Sequence, residues 1–179
     1  MRTGRLAVFV VIPVAVVMVL FIVVLGTRAP ASDRVADSPL VGRAAPGIQA
    51  RTLEGEEFAL DRYAGRWVLV NFFATWCGPC RREHPELRRF ATEHDRTGDA
   101  GVVSVVFQDD PAAVRRFFDE NGGDWPIVDD SGGRAVLDYG VAGIPESYLV
   151  DCDGVVRAKV TGGVTAAGLD GLIRELGSC

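Results

Sequence analysis

Apolar positions change period along the chain, and each period predicts a different element. Residues 6–25 carry no charge and, as an α-helix, would span about 30 Å, the thickness of a bilayer's hydrocarbon core. Residues 26–40 are small and polar, with Pro30, Ser32, Asp33, Asp37, Ser38 and Pro39 and no periodicity, which predicts a linker. Residues 47–52 and 56–60 flank Gly55 and predict a hairpin. Residues 67–73 and 102–107 are nearly unbroken apolar runs, the pattern of strands covered on both faces; Asn71 is the polar break in the first. Apolar residues then recur at helical spacing. Leu87, Phe90 and Ala91 do so between Arg81 and about His94, and Val114, Phe117 and Phe118 in a helix opened by Asp110 and Pro111 and closed by Gly122. Leu169, Leu172, Ile173 and Leu176 do so in one opened by Thr165 and closed by Gly177. Residues 125–128 predict a short strand and 133–139 a short helix. Strands at 147–150 and 155–161 are joined by Asp151-Cys152-Asp153-Gly154, whose Asp-Gly pair signals a hairpin turn. Strand-helix-strand succession predicts an α/β domain whose sheet has covered faces.

The first apolar run changes the picture of where the domain works. Arg2 and Arg5 precede it, so residues 1–5 are expected to stay in the cytoplasm and the rest to emerge on the far side; Arg28 and Arg34 weaken that bias. Pro13 inside the span is tolerated in a membrane helix with a kink. The rival is a cleaved secretory signal ending at Ala29-Pro30-Ala31, for which twenty apolar residues are long against the usual ~7–15. Either reading exports the domain. A net charge of −5 and no basic run argue against nucleic acid as a partner and leave proteins. Four cysteines in an exported chain sit where disulfides persist, so thiols kept reduced there need a dedicated electron supply.

The chemistry is carried by Trp76-Cys77-Gly78-Pro79-Cys80, at the predicted strand-to-helix junction. Free backbone N–H groups and the positive end of the helix dipole favour a thiolate at Cys77 and lower its pKa, which makes it the attacking residue. Cys80, one turn further on, is placed to resolve the mixed disulfide that Cys77 forms. Zinc would need further ligands. The chain offers no second Cys-x-x-Cys, and His84 and His94 lie on the motif's own helix and read as surface or packing residues, so no metal and no cofactor is implied. A peroxidatic cysteine expects threonine three residues upstream, where Ala74 stands. Trp67 and Trp125 read as packing residues.

The stretch Val70-Asn71-Phe72-Phe73-Ala74-Thr75-Trp76-Cys77-Gly78-Pro79-Cys80-Arg81-Arg82-Glu83-His84-Pro85 resembles the thioredoxin superfamily, and within it the membrane-tethered thiol-disulfide reductases of the TlpA/ResA/CcmG group, from about Val41 to the end. The resemblance implies a thioredoxin-like fold over residues 41–179, a central mixed sheet with helices on both faces and an N-terminal β-hairpin extension. Pro145, in Gly143-Ile144-Pro145-Glu146, matches the superfamily's cis-proline facing the cysteines. Glu146 matches the acidic residue that follows it in the cytochrome c maturation branch and is expected to bring a carboxylate beside the disulfide. Asn71 stands where thioredoxins have a titrating aspartate, and Glu83 matches the glutamate of the tethered group that takes over the proton work. Trp76 is expected to shield the disulfide and to meet partners, and Pro85 to be the helix-kink proline.

The function implied is an extracytoplasmic thiol-disulfide oxidoreductase reducing protein disulfides, for example in apocytochrome c, and fed by a thiol-type electron donor in the membrane. A redox-silent client-binding protein and a peroxiredoxin-like peroxidase are the other classes. In the superfamily topology the turn holding Cys152 and the end of the last helix lie at one end of the domain. A structural disulfide between Cys152 and Cys179 is therefore expected.

Overall fold

The computed structural model describes residues 13, 14, 16–21, 34–177 and 179. The membrane span expected at 6–25 lies largely outside them; residues 13, 14 and 16–21 are helical with exposed apolar side chains. Among the described residues no helix is long and apolar enough to cross a membrane.

The domain is built on one eight-stranded mixed sheet. Its strands are β1 (Arg34–Ala36), β2 (Gln49–Thr52), β3 (Glu57–Ala59), β4 (Trp67–Phe73), β5 (Ala100–Val106), β6 (Ile127–Asp129), β7 (Glu146–Val150) and β8 (Val156–Thr161). They lie in the order β1-β8-β7-β4-β5-β6-β2-β3. β4, β5 and β6 run parallel, and the other neighbours pair antiparallel. Every residue of β4 is buried, as its unbroken apolar run requires. Among the described residues, four α-helices complete the domain, α1 (Gly78–Asp95), α2 (Pro111–Asn121), α3 (Arg134–Tyr139) and α4 (Ala166–Leu176), with a short 3-10 turn at Leu60–Tyr63.

Period two along the strands sorts side chains into two cores. Leu69 and Phe73 of β4 and Val102 and Val106 of β5 join Leu87 and Phe90 of α1, Val114, Phe117 and Phe118 of α2, and Leu169 of α4 on one face. Val68, Val70 and Phe72, with Val103 and Val105, face Ala135 and Tyr139 of α3 and the docked hairpin residues Ile48 and Phe58 on the other. This is the thioredoxin-like layering, with the hairpin β2–β3 added at one edge through β2 against β6. Local capping chemistry fixes the helix starts. The Asp110 carboxylate accepts from Ala112 N–H at 3.0 Å and the Thr165 hydroxyl from Gly168 N–H at 3.1 Å.

The linker expected over 26–40 is shorter than its composition suggested. Arg34–Ala36 already pairs with Lys159–Thr161 of β8 as an edge strand, and Gly42 N–H bonds Val156 C=O at 2.8 Å. Without β1 the outer side of β8 would present unpaired backbone groups, and the three residues Arg34, Val35 and Ala36 suffice to cover them.

The two histidines set opposite pH dependences. His94 bridges Asp99 Oδ1 at 2.8 Å and Asp170 Oδ1 at 3.0 Å, tying the end of α1 to α4. Burial pulls its pKa down, but the hydrogen bonds with Asp170 and Asp99 outweigh it, and the pKa lies above the ordinary value. Its stabilisation is therefore fully present below about pH 6.5 and is lost as pH rises through the folded-state value. His84 is buried among Phe117, Phe118 and Trp125, with Nε2 at 2.7 Å from Gly122 C=O. Burial lowers its pKa. Its contribution is present above about pH 6.5 and is lost as pH falls. We expect His94→Gln to leave the His84 slope exposed, so that the thermal midpoint rises more steeply with pH between about 5.5 and 7.5 than in the parent. Parallel curves for parent and variant would mean that the Asp99–His94–Asp170 bridge does not stabilise the fold.

Candidate active site

Parallel pairing puts the carboxyl ends of β4 and β5 side by side, with Phe73 opposite Val106, and β7 starts at the same end, with Glu146 opposite Phe72. Three loops therefore meet there: residues 74–77 after β4, 107–110 after β5 and 140–145 before β7. The first ends in Cys77 and leads directly into α1, whose first turn carries Cys80. Cys77 and Cys80 form a disulfide with Cα atoms 5.3 Å apart. Cys77 is the N-cap of α1, so the helix begins three residues earlier than the apolar spacing placed it, and Cys77 Sγ accepts from Cys80 N–H at 3.1 Å. A sulfur in the N-cap position takes one of the helix's orphan donors and the positive end of its dipole, the arrangement that stabilises a thiolate when the bond opens. Both cysteines are buried, 4% and 2% exposed, so in the oxidised form Cys77 is only marginally the more accessible of the two.

Trp76 is 59% exposed at the rim and is tied to the second loop: its Nε1–H donates to Gln108 C=O at 3.1 Å. Asp109 holds the preceding residue, its carboxylate accepting from Thr75 N–H and from the Thr75 hydroxyl, the latter at 2.7 Å. Gln108 is the one non-glycine residue at positive φ (46°) among those described, and this turns its carbonyl to the indole. Gln108 and Asp109 belong to no motif of the sequence. A loop following a parallel strand next to the one that carries the cysteines was the available signal. The cavity of about 620 Å³ beside them is lined by Asp109, Asp110, Asp129 and Asp130, whose carboxylates accept from nearby backbone N–H groups.

The Ile144–Pro145 peptide is cis, and Pro145 is buried with its C=O accepting from Gly162 N–H at 3.0 Å. Ile144 packs against the core cluster that contains both cysteines. Pro85 is exposed inside α1.

Beneath the disulfide lies a buried polar group. Glu83, 3% exposed, follows Cys80 by three residues on the same helix face. Its Oε1 accepts from Asn71 Nδ2 at 3.0 Å and its Oε2 from Val164 N–H at 3.0 Å. Asn71 Nδ2 also donates to Ser147 Oγ at 3.0 Å. The structure thus joins Asn71, Glu83 and Ser147 behind Cys80.

Glu146 is placed elsewhere than expected. Because Ser147 shares the sheet face of Asn71, its neighbour Glu146 shares that of Phe72 and Tyr148, away from α1. There its Oε2 meets Lys159 Nζ at 2.9 Å, both side chains being about a tenth exposed or less. The expectation of a carboxylate beside the disulfide is corrected by strand alternation, and Lys159 was not foreseen as its partner. Cys152 and Cys179 lie far from this end, as free thiols that contact one another.

A dithiol that closes within a buried, N-capped turn, backed by a carboxylate held in a hydrogen-bonded cage, defines a thiol-disulfide oxidoreductase. The Redoxin family model matches residues 40–173, and the chain belongs to that family. Among its relatives, thiol-disulfide oxidoreductase ResA of Geobacillus thermodenitrificans is 34% identical over 70% of this chain and 71% of its own. ResA of Bacillus anthracis is 29% identical over 76% and 78% respectively. The thiol:disulfide interchange protein CycY of Rhizobium leguminosarum is 40% identical over 61% of this chain and 58% of its own. Among solved structures, StoA from Bacillus subtilis superposes with a TM-score of 0.62 at 28% identity, covering 75% of this chain and 98% of that one. A thioredoxin-family thiol:disulfide interchange protein from Chlorobium tepidum does so with 0.67 at 27%, covering 78% and 98%. The partners of such an enzyme are client proteins that contain disulfides.

Proposed function

We propose that the protein is an exported, membrane-anchored reductant of protein disulfides. Its Cys77–Cys80 dithiol would act on clients such as apocytochrome c and be restored by a thiol donor in the membrane. The observation that carries the reductive direction is what surrounds Cys77 Sγ: a backbone N–H from Cys80, and Gly-Pro rather than a histidine between the cysteines. Strong oxidants of this kind owe their potential to extra stabilisation of the reduced thiolate, near ~−120 mV, whereas reductants lie near ~−270 mV. Glu83 is the acid of the site, exchanging a proton with Cys80 as the disulfide opens and closes. Residues 6–25 supply the anchor, by their length and lack of charge. Equilibrating the full chain in detergent against dithiothreitol tests the direction: a potential near ~−270 mV is expected, and one near ~−120 mV would reverse it.

Export also bears on the second cysteine pair. α4 runs alongside α1 in the same direction, since Ala166 N–H bonds Glu86 Oε2 at 3.0 Å and Asp170 meets His94 further along. Both helices thus lead away from the active site. Cys152 lies at the far end, where its C=O accepts from Gly65 N–H at 2.9 Å just before β4, and the Cys179 thiol is its hydrogen-bond partner. Burial and that contact push the Cys179 thiol up to about 11. In an oxidising compartment the two are expected to close into a structural disulfide by exchange with a protein disulfide. Non-reducing peptide maps of exported protein should contain the Cys152–Cys179 peptide; two alkylated thiols there would remove it.

A further inference from the structure

We propose that Asn71 is a positioning residue that holds Glu83 in both of its protonation states by turning its side-chain amide. The proposal rests on Glu83 being the acid of the site. In the structure both amide hydrogens are engaged, one on Glu83 Oε1 and one on Ser147 Oγ, each at 3.0 Å. Asn71 is completely buried, and its Oδ1 has no hydrogen-bond partner among the described residues. An orphaned buried acceptor is a liability, and what makes it tolerable here is the carboxylate: the opposite amide orientation would aim Oδ1 at an anion.

Protonation reverses that preference. In the resolving step the Cys80 thiol gives its proton to the Glu83 carboxylate. The Cys80 thiolate attacks Cys77 Sγ, the Cys77–client bond breaks as the Cys77–Cys80 bond forms, and the client leaves as a thiolate. Glu83 is then a carboxylic acid with a hydrogen to donate. With the amide turned by half a rotation, Oδ1 accepts from the Glu83 O–H and from the Ser147 O–H, and Nδ2 becomes the single unpaired group. Ser147 serves both orientations because a hydroxyl donates or accepts by rotating. Each state leaves one amide group unpaired, and Glu83 keeps a partner throughout the proton transfer. Val164 N–H on Oε2 fixes the other oxygen.

The titratable groups around Glu83 are few. Cys77 and Cys80 share its helix, Glu86 one turn on accepts from Ala166 N–H, and Glu146 and Lys159 are paired on the other face of the sheet. An aspartate at position 71 cannot donate, and would set a second carboxylate against Glu83, so that one of the two holds its proton to a higher pH.

The test is a double-mutant cycle read by pH. The full chain in detergent is reduced, and thiolate absorbance and the rate of exchange with a model disulfide are followed from acid to alkaline pH. Asn71→Asp is expected to move the Cys80-linked titration up by about one unit or more, a tenfold change in proton affinity. Ser147→Ala, which removes one partner of the amide at little cost in volume, is expected to move it in the same direction by less. In a Glu83→Gln background neither substitution should shift it. If Asn71→Asp leaves the profile where it was, or shifts it equally in the Glu83→Gln background, Asn71 is only a packing residue. If Glu83→Gln by itself leaves the profile unchanged, the assignment of Glu83 fails and the Asn71 proposal falls with it.

Discussion

Cys80→Ser is expected to accumulate mixed disulfides with client proteins, whereas Cys77→Ser is expected to accumulate none and to lose exchange activity by about a thousandfold or more. The difference comes from the geometry of the first turn of α1. Cys77 Sγ occupies the N-cap and faces the Cys80 N–H, so once the disulfide is reduced it is the sulfur stabilised as a thiolate. A serine hydroxyl at that position does not ionise near neutral pH and cannot open a client disulfide. With Cys80 replaced, attack on the client still occurs, but the bond that would release it is never formed. Non-reducing electrophoresis after rapid acid quenching reads both outcomes. Capture by the Cys77→Ser variant through Cys80 would exchange the two roles.

Lys159→Met is expected to destabilise the domain by about 3 kcal/mol at pH 7, among the largest effects available outside the core. Lys159 and Glu146 side chains are 11% and 8% exposed and lie 2.9 Å apart, with the ammonium 5.4 Å from the Tyr148 ring centroid. Removing the lysine leaves a buried carboxylate without its counter-charge, whereas removing both charges together removes the problem as well as the pair. Lys159→Met combined with Glu146→Gln should therefore recover most of the loss. Urea unfolding midpoints of the two variants at pH 7 check this. A single variant within about 1 kcal/mol of the parent would mean that water reaches Glu146 and does the work assigned to the lysine.

The elements that could be read from the chain are those whose causes are local. The apolar run at 67–73, the caps at Asp110 and Thr165 and the glycine stops at Gly122 and Gly177 need no knowledge of what lies across the sheet, and they bound β4, α2 and α4 in the structure. The cysteine pair was legible for the same reason, being a motif on its own turn. What the sequence hid depends on pairing between distant segments. β1 is three residues with no pattern, and it exists because β8 offers an open edge. Whether Glu146 or Ser147 faces α1 follows from the register of β7 against β4, with Asn71 opposite Ser147, and no periodicity within a five-residue strand reveals that. Lys159 could be matched to Glu146 only once β8 was laid beside β7 with Lys159 opposite Tyr148. Asp109 and Gln108 looked like ordinary loop residues until parallel pairing carried their loop to Thr75 and Trp76.

Along one flank, α1 is fastened at three levels: Glu83 to the Val164 amide, Glu86 to the Ala166 amide and His94 to Asp170. A helix bolted at three points along its length to one neighbouring segment has no freedom to slide or tilt when two electrons arrive at its tip. The work of opening the disulfide must then be taken up within the first turn, by rotation of Cys77 and Cys80 about their own side-chain bonds, while the rest of the domain stays as a stationary frame. Little of the molecule has to rearrange in passing between oxidised and reduced forms, and a client meets nearly the same surface before and after it is reduced.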